Sequence, residues 1–223
     1  MNDRTLMTRI STITETRFQT FCVVLTGLWF TGFGEYCLAQ SAAPVQSLLE
    51  IRQDKVVVQQ WDLSCGAAAL ATILNYQHGD PVSEKDVAIG MMGREEYVKN
   101  PALVNYRQGF SLFDLKRFVD QRGYNGIGLG QLDFEDLVDH APIIVPIATH
   151  GYQHFVVFRG VLEGRVLLAD PAFGNRTLSR ARFEKAWRPL PEIGRVGFYV
   201  ERSDNLIPPN QLQPDAGQFL TLR

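Results

Sequence analysis

The apolar pattern of this chain changes period near its middle, and that change limits the folds open to it. Up to Gly123 the apolar residues recur at helical spacing: Leu70, Ile73 and Leu74, then Val87, Ile89, Met91 and Met92, then Leu112, Leu115, Phe118 and Val119. Beyond Tyr124 short apolar runs take over. Tyr124 to Leu129, the run Ile143 to Ile147, His154 to Phe158, Arg165 to Asp170 and Gly197 to Val200 read as strands. Glu163-Gly164 between the third and fourth of these is a turn of hairpin type. Helices first and strands second predict an α+β domain, with a helical half followed by an antiparallel half.

Local punctuation places the elements. The first helix starts at Cys65 and runs to about Gln77, where His78-Gly79-Asp80-Pro81 ends it. Ser83, with Asp86 three residues on, starts a second helix, and Ser111 opens a third that Gly123 closes. Asp133 to His140 and Ser179 to Trp187 are shorter helices, the latter with Phe183 and Trp187 one turn apart. Ser41 to Val56 reads as an extended entry, with Lys55 to Val58 a short β segment. Gly93 to Gln108 reads mostly as loop, and the tail from Asp204 onward, with Pro208, Pro209 and Pro214, reads as loose.

The N-terminus has its own logic. Arg4, Arg9 and Arg17 precede an apolar run from Phe21 to Phe33, and Cys37-Leu38-Ala39 follows, as in a secretory signal peptide with cleavage near Ala39 or Ala43. The run is shorter than the ~18 to 20 apolar residues of a membrane span, so a retained membrane anchor is the alternative rather than the expectation. The division that follows is a signal at 1–39, an N-terminal extension at 40–57, a main domain at 58–203 and a C-terminal tail at 204–223. With 45% hydrophobic residues in a chain of 223, the material suffices for one good core. The net charge of −2 offers no basic field for nucleic acid.

Export changes the meaning of the cysteines. The three are Cys22, Cys37 and Cys65, and signal removal leaves Cys65 alone, so a solitary cysteine in an oxidising compartment reads as a reactive thiol. Its setting supports that. Unpaired N–H groups at a helix start favour an anion, the attacking form of a thiol, and the small residues Gly66, Ala67, Ala68 and Ala69 leave room beside the sulfur and let the helix start lie close to a facing surface. Three cysteines so far apart make no structural zinc site, and no cofactor is called for. An inert buried cysteine in an Ala-rich helix is the bland alternative.

A thiol nucleophile needs a base, and the base needs an orienting group. Of the four histidines, His154 is best placed, since it begins an apolar strand. His78 and His150 lie in turns or loops and His140 at a helix end. Asp170, at the end of the next strand and followed by Pro171, can reach the His154 ring across a hairpin. Gln59, six residues before Cys65, can turn its amide toward an oxyanion alongside the Cys65 backbone N–H. Taken singly, a satisfied core histidine, a strand-ending turn and a surface amide would explain these residues equally well.

The ordered set of Gln59 with Cys65-Gly66, His154-Phe155-Val156-Val157, and Asp170-Pro171 sixteen residues past the histidine resembles the bacteriocin-processing cysteine peptidases, family 39 of the papain-like clan. The resemblance spans roughly Val58 to Val200. It implies a papain-like fold, with Cys65 as nucleophile, His154 as general base and acid, Asp170 orienting it and Gln59 in the oxyanion hole. Family members that mature bacteriocins usually precede an ABC transporter and cut after a double glycine. This chain carries no phosphate-binding loop or set of spans, and it is more similar to stand-alone exported members associated with functional-amyloid secretion. The expectation is an endopeptidase of the periplasm or the outside that cleaves an exported protein or peptide, with secretion-system components as partners. Two alternatives stay open: a non-cleaving binding or guiding module, and a papain-like hydrolase of cell-wall peptides.

Overall fold

The computed structural model describes residues 45–93, 95–106, 109–149 and 151–222. The signal segment, its cleavage site, Cys22, Cys37 and His150 lie outside these residues.

Helix starts are set by one recurrent local device. Ser83, Ser111 and Asp133 each accept the backbone N–H three residues on, and Asp86, Asp114 and Asp136 each accept the cap's own N–H. The same box between Ser47 and Glu50 starts α1 (Leu48–Gln53), within the stretch expected to be extended. Then come α2 (Cys65–Thr72), which continues as a π-helical turn at Ile73–Gln77, α3 (Glu84–Met92), α4 (Glu95–Lys99), α5 (Leu103–Tyr106) and α6 (Leu112–Gln121). The short helices α4 and α5 fall where mostly loop was expected. The remainder runs β1 (Tyr124–Leu129), α7 (Phe134–Asp139), β2 (Ile143–Thr149), β3 (Tyr152–Leu162), β4 (Arg165–Asp170), β5 (Gly174–Ser179), α8 (Arg180–Ala186), β6 (Gly197–Arg202) and α9 (Ala216–Thr221).

Among the described residues the strands form one antiparallel sheet in the order β1-β6-β2-β3-β4-β5. Strand alternation divides its side chains between two layers. Ile144, Val157 and Ala169 pack under α2, α3 and α6 with Leu70, Leu74 and Leu115. Ile143, Val145, Val156, Phe158 and Leu168 pack on the opposite face with Leu137 of α7, Phe183 of α8 and Trp187, which caps α8. The expected architecture, helices carrying Cys65 against an antiparallel sheet carrying His154 and Asp170, is the one found. No helix among the described residues is long and apolar enough to cross a membrane.

Two expectations need correction. Lys55 to Val58 is not a strand: the Val57 N–H donates to Thr72 Oγ1 at 2.9 Å, a side chain of α2, and the Gln59 N–H donates to the Pro171 carbonyl at 2.8 Å, so no ladder forms. Nor is the C-terminal tail loose. It crosses the domain with Gln211 N–H on the Tyr76 carbonyl, Leu212 buried in the helical-side core, and Phe219 and Leu222 of the last turns buried on Leu167. Buried Arg159 donates Nε to the Leu212 carbonyl at 2.9 Å, and Pro214 sits against Gly160, where a Cβ would meet its ring at 2.7 Å. Backbone and proline contacts of this kind leave no hydrophobic period to read.

Candidate functional site

Cys65 is the first residue of α2, behind Ser64, and is a free thiol. The loop that delivers it is held from α3. Buried Glu84 accepts the Gln60 N–H at 3.0 and 3.2 Å and is hydrogen bonded to the Ser64 hydroxyl, which also lies 2.6 Å from the Trp61 carbonyl. Between these anchors Leu63 has a φ of 65°, a left-handed conformation that a branched side chain adopts only when its surroundings hold it there. Gly109 packs on the Leu63 carbonyl, at 3.0 Å from where its Cβ would be. Gly66 lets α2 approach β3: an added Cβ would stand 3.3 Å from Phe155 and 3.4 Å from Leu115.

The hairpin brings the other two groups together. His154 Nε2 lies 2.7 Å from Asp170 Oδ1, which leaves Nδ1 as the ring nitrogen available to Cys65, whose side chain lies close enough to raise the ring's pKa. Both His154 and Asp170 are buried, and Cys65 is reached from the cleft beside it. Burial alone would lower the His154 pKa. The hydrogen bonds to Asp170 and Cys65 and the negative charge of both outweigh it and push the imidazole up to about 9. For Asp170, burial works against ionisation, but His154, Arg176 and the Ala172 N–H together hold the carboxyl below its usual range. The tight turn after Asp170 is closed by Gly174 at a φ of 74°, where a Cβ would strike the Arg52 carbonyl at 2.4 Å.

Gln59 is brought to the same place. Its main chain is tied to Pro171, next to Asp170, its Nε2 donates to the Trp61 carbonyl at 3.3 Å, and its Oε1 is buried without a partner. At that length the bond to Trp61 is weak. The structure thus sets Cys65 beside the hydrogen-bonded pair His154–Asp170, with Gln59 on the adjoining turn. Of the remaining histidines, His78 is buried with Nε2 on the Val200 carbonyl, and His140 sits at the end of α7.

A pocket of about 270 Å³ opens beside Cys65, bounded by Phe110 and Leu112 of the helical half and by Pro146, Phe155, Leu190 and Val196 of the sheet half. Its wall is fixed by Trp187, whose Nε1 donates to the Val196 carbonyl at 2.9 Å while Arg195 Nε donates to the Trp187 carbonyl at 3.0 Å. Two contributors to the site had no individual signal in the sequence. Glu84 reads there as an ordinary first-turn acid and Arg176 as an ordinary surface cation.

Residues 53–190 match the model of the peptidase C39 family. Over 167 residues the chain is 36% identical to a Pseudomonas aeruginosa protein named probable functional amyloid protease FapD, covering 74% of this chain and 70% of that protein. The protein of the same name from Pseudomonas fluorescens matches to the same extent. Among solved structures, a double glycine motif protease from an AMS/PCAT transporter, crystallised with its leader peptide, superposes with a TM-score of 0.52 at 21% identity, over 66% of this chain and 91% of that one. The peptidase domain of Streptococcus ComA gives 0.51 at 17% identity, over 66% and 98%. At such identities these two structures bear on the fold, which is that of papain-like C39 domains.

Proposed function

The chain belongs to the peptidase C39 family and is a peptidase; from that premise we propose that it is an exported cysteine endopeptidase that works through Cys65, His154, Asp170 and Gln59 on a secreted protein or peptide. The observation that carries this reading is the buried His154–Asp170 pair, 2.7 Å apart, set beside Cys65 at the start of α2. The Cys65 sulfur attacks the scissile carbonyl carbon as a thiolate. A C–S bond forms, and the carbonyl π electrons move to oxygen. The Cys65 backbone N–H, without an acceptor inside its helix, and the Gln59 amide, turned from Trp61, receive the oxyanion. Collapse breaks the C–N bond as His154 gives its Nδ1 proton to the leaving amine. Water, losing a proton to His154, then attacks the thioester, releases the acid and regenerates the pair.

The apolar pocket beside the sulfur suits a substrate that places an apolar side chain next to the scissile region. The name carried by the Pseudomonas relatives makes a protein of functional-amyloid export the favoured substrate class, with other secretion components as partners. Export itself rests on the Arg-flanked apolar run before Cys37-Leu38-Ala39. A thiol-directed epoxide or vinyl sulfone probe tests the chemistry without a known substrate. The expected result is labelling of Cys65 that His154→Ala abolishes. Labelling of Cys65 no faster than that of free cysteine at pH 6 would favour a non-cleaving binding module instead.

A further inference from the structure

The two oxygens of Asp170 have different partners. Oδ1 serves His154 Nε2 at 2.7 Å and the Ala172 N–H at 2.9 Å, whereas Oδ2 accepts from Nε of Arg176 at 2.7 Å and stands 2.6 Å from its Nη2 as an ion pair. Strand register explains the approach. Arg176 of β5 pairs with Leu168 of β4, and Leu168 and Asp170 share a face, so the guanidinium lies on the diagonal next to the carboxylate. Phe173, from the turn between the strands, places its ring centroid 5.2 Å from the guanidinium carbon. Arg176 is three-quarters buried and Asp170 fully so.

We propose that Arg176 is a positioning residue for the peptidase reaction: its hydrogen bond and ion pair to Oδ2 hold the Asp170 carboxylate in the orientation that presents Oδ1 to His154, and thereby extend the reactive Cys65–His154 pair toward acid pH. This role rests on the thiol-peptidase reading above. A carboxylate turns easily about its last bond, and His154 and the Ala172 N–H, both on Oδ1, leave Oδ2 unheld without Arg176. A planar guanidinium that donates Nε to one oxygen, with Nη2 at ion-pair distance, removes that freedom and supplies a counter-charge to a buried carboxylate, which an ammonium on a flexible stem does less well. The groups facing this carboxylate are His154 from β3, Arg176 from β5 and the Ala172 N–H from the turn, with Cys65 of α2 reaching it through the imidazole. Without Arg176 the carboxylate protonates or swings away as the pH falls. The imidazolium then loses its support, and the pair its reactivity.

The test is the rate of Cys65 alkylation by iodoacetamide from pH 4.5 to 8.5, read on the Cys65 peptide by mass spectrometry for the wild type, Arg176→Gln and Arg176→Lys, with thermal unfolding recorded for each. The expected result is that Arg176→Gln alkylates about tenfold more slowly near pH 5, as a one-unit displacement of the acid limb requires, and at the wild-type rate near pH 8.5. Arg176→Lys falls between. Superimposable profiles for the wild type and a folded Arg176→Gln would overturn the proposal, and if that variant unfolds, superimposable profiles for the wild type and Arg176→Lys would do the same. A wild-type Cys65 that shows no acid-side reactivity above free cysteine would overturn the thiol-peptidase reading itself, and with it this role.

Discussion

His154 Nε2 and Asp170 Oδ1 stand 2.7 Å apart, both side chains withdrawn from solvent, and this pairing decides how the protein responds to alkali. The imidazole, pushed up to about 9 from its ordinary 6.5, stays protonated through neutral pH and can serve as the acid for the leaving amine. Turnover should therefore fall as the pH rises through about 9. Asp170→Asn keeps a hydrogen-bond partner but removes the charge, so the alkaline limb should move down toward 6.5, as a pH profile of kcat/KM with a cleaved peptide would record. The same raised value stabilises the fold below pH 6.5 and loses that contribution as the pH climbs through about 9.

Gln59 separates transition-state stabilisation from thiol activation. Gln59→Ala should reduce peptide cleavage by about 10² to 10³, the usual effect of losing one oxyanion donor. It should leave Cys65 alkylation by iodoacetamide unchanged, because that displacement develops no oxyanion. Paired rate measurements on the one variant check both halves.

Glu84 should matter through the loop it holds. Glu84→Ala strips the acceptor from the Gln60 N–H and the Ser64 hydroxyl, so a loss of about 1–3 kcal/mol in stability is expected. A fall in cleavage of about tenfold should accompany it, since small displacements of a reacting group are costly. Glu84→Gln keeps one accepting oxygen and should recover part of both, measured by urea unfolding and by kcat.

The C-terminal strap is a stability element. Leu212→Ala, at a fully buried position, should cost about 2–5 kcal/mol in urea unfolding. Its rate of Cys65 alkylation at pH 6 should match the wild type, because Leu212 lies apart from Cys65, His154 and Asp170, packed in the helical-side core.

What could be read from the residues, and what could not, divides by range. Caps at Ser83, Ser111 and Asp133 are local chemistry, and the hairpin around Glu163-Gly164 is a local turn, so the order of elements and the meeting of His154 with Asp170 followed from short-range rules. The Ser47 to Glu50 box carries the same signal for α1, within the stretch expected to be extended. β5 eluded the pattern because Gly174-Asn175-Arg176-Thr177 is an edge segment without apolar alternation. Arg176 and Glu84 gain their roles from strand register and from the approach of α3 to the cysteine loop, which no linear spacing encodes.

Comparison of the proteins secreted by cells carrying the wild type and by cells carrying Cys65→Ala, with new N-termini mapped by mass spectrometry, tests the peptidase assignment where it acts. At least one exported protein should be present as a cleaved form in the wild type and should remain uncut in the variant, and adding purified wild-type protein to the variant's secreted fraction should restore the cut. Identical N-termini in both secreted fractions, with nothing cut on addition of the wild-type protein, would contradict the account.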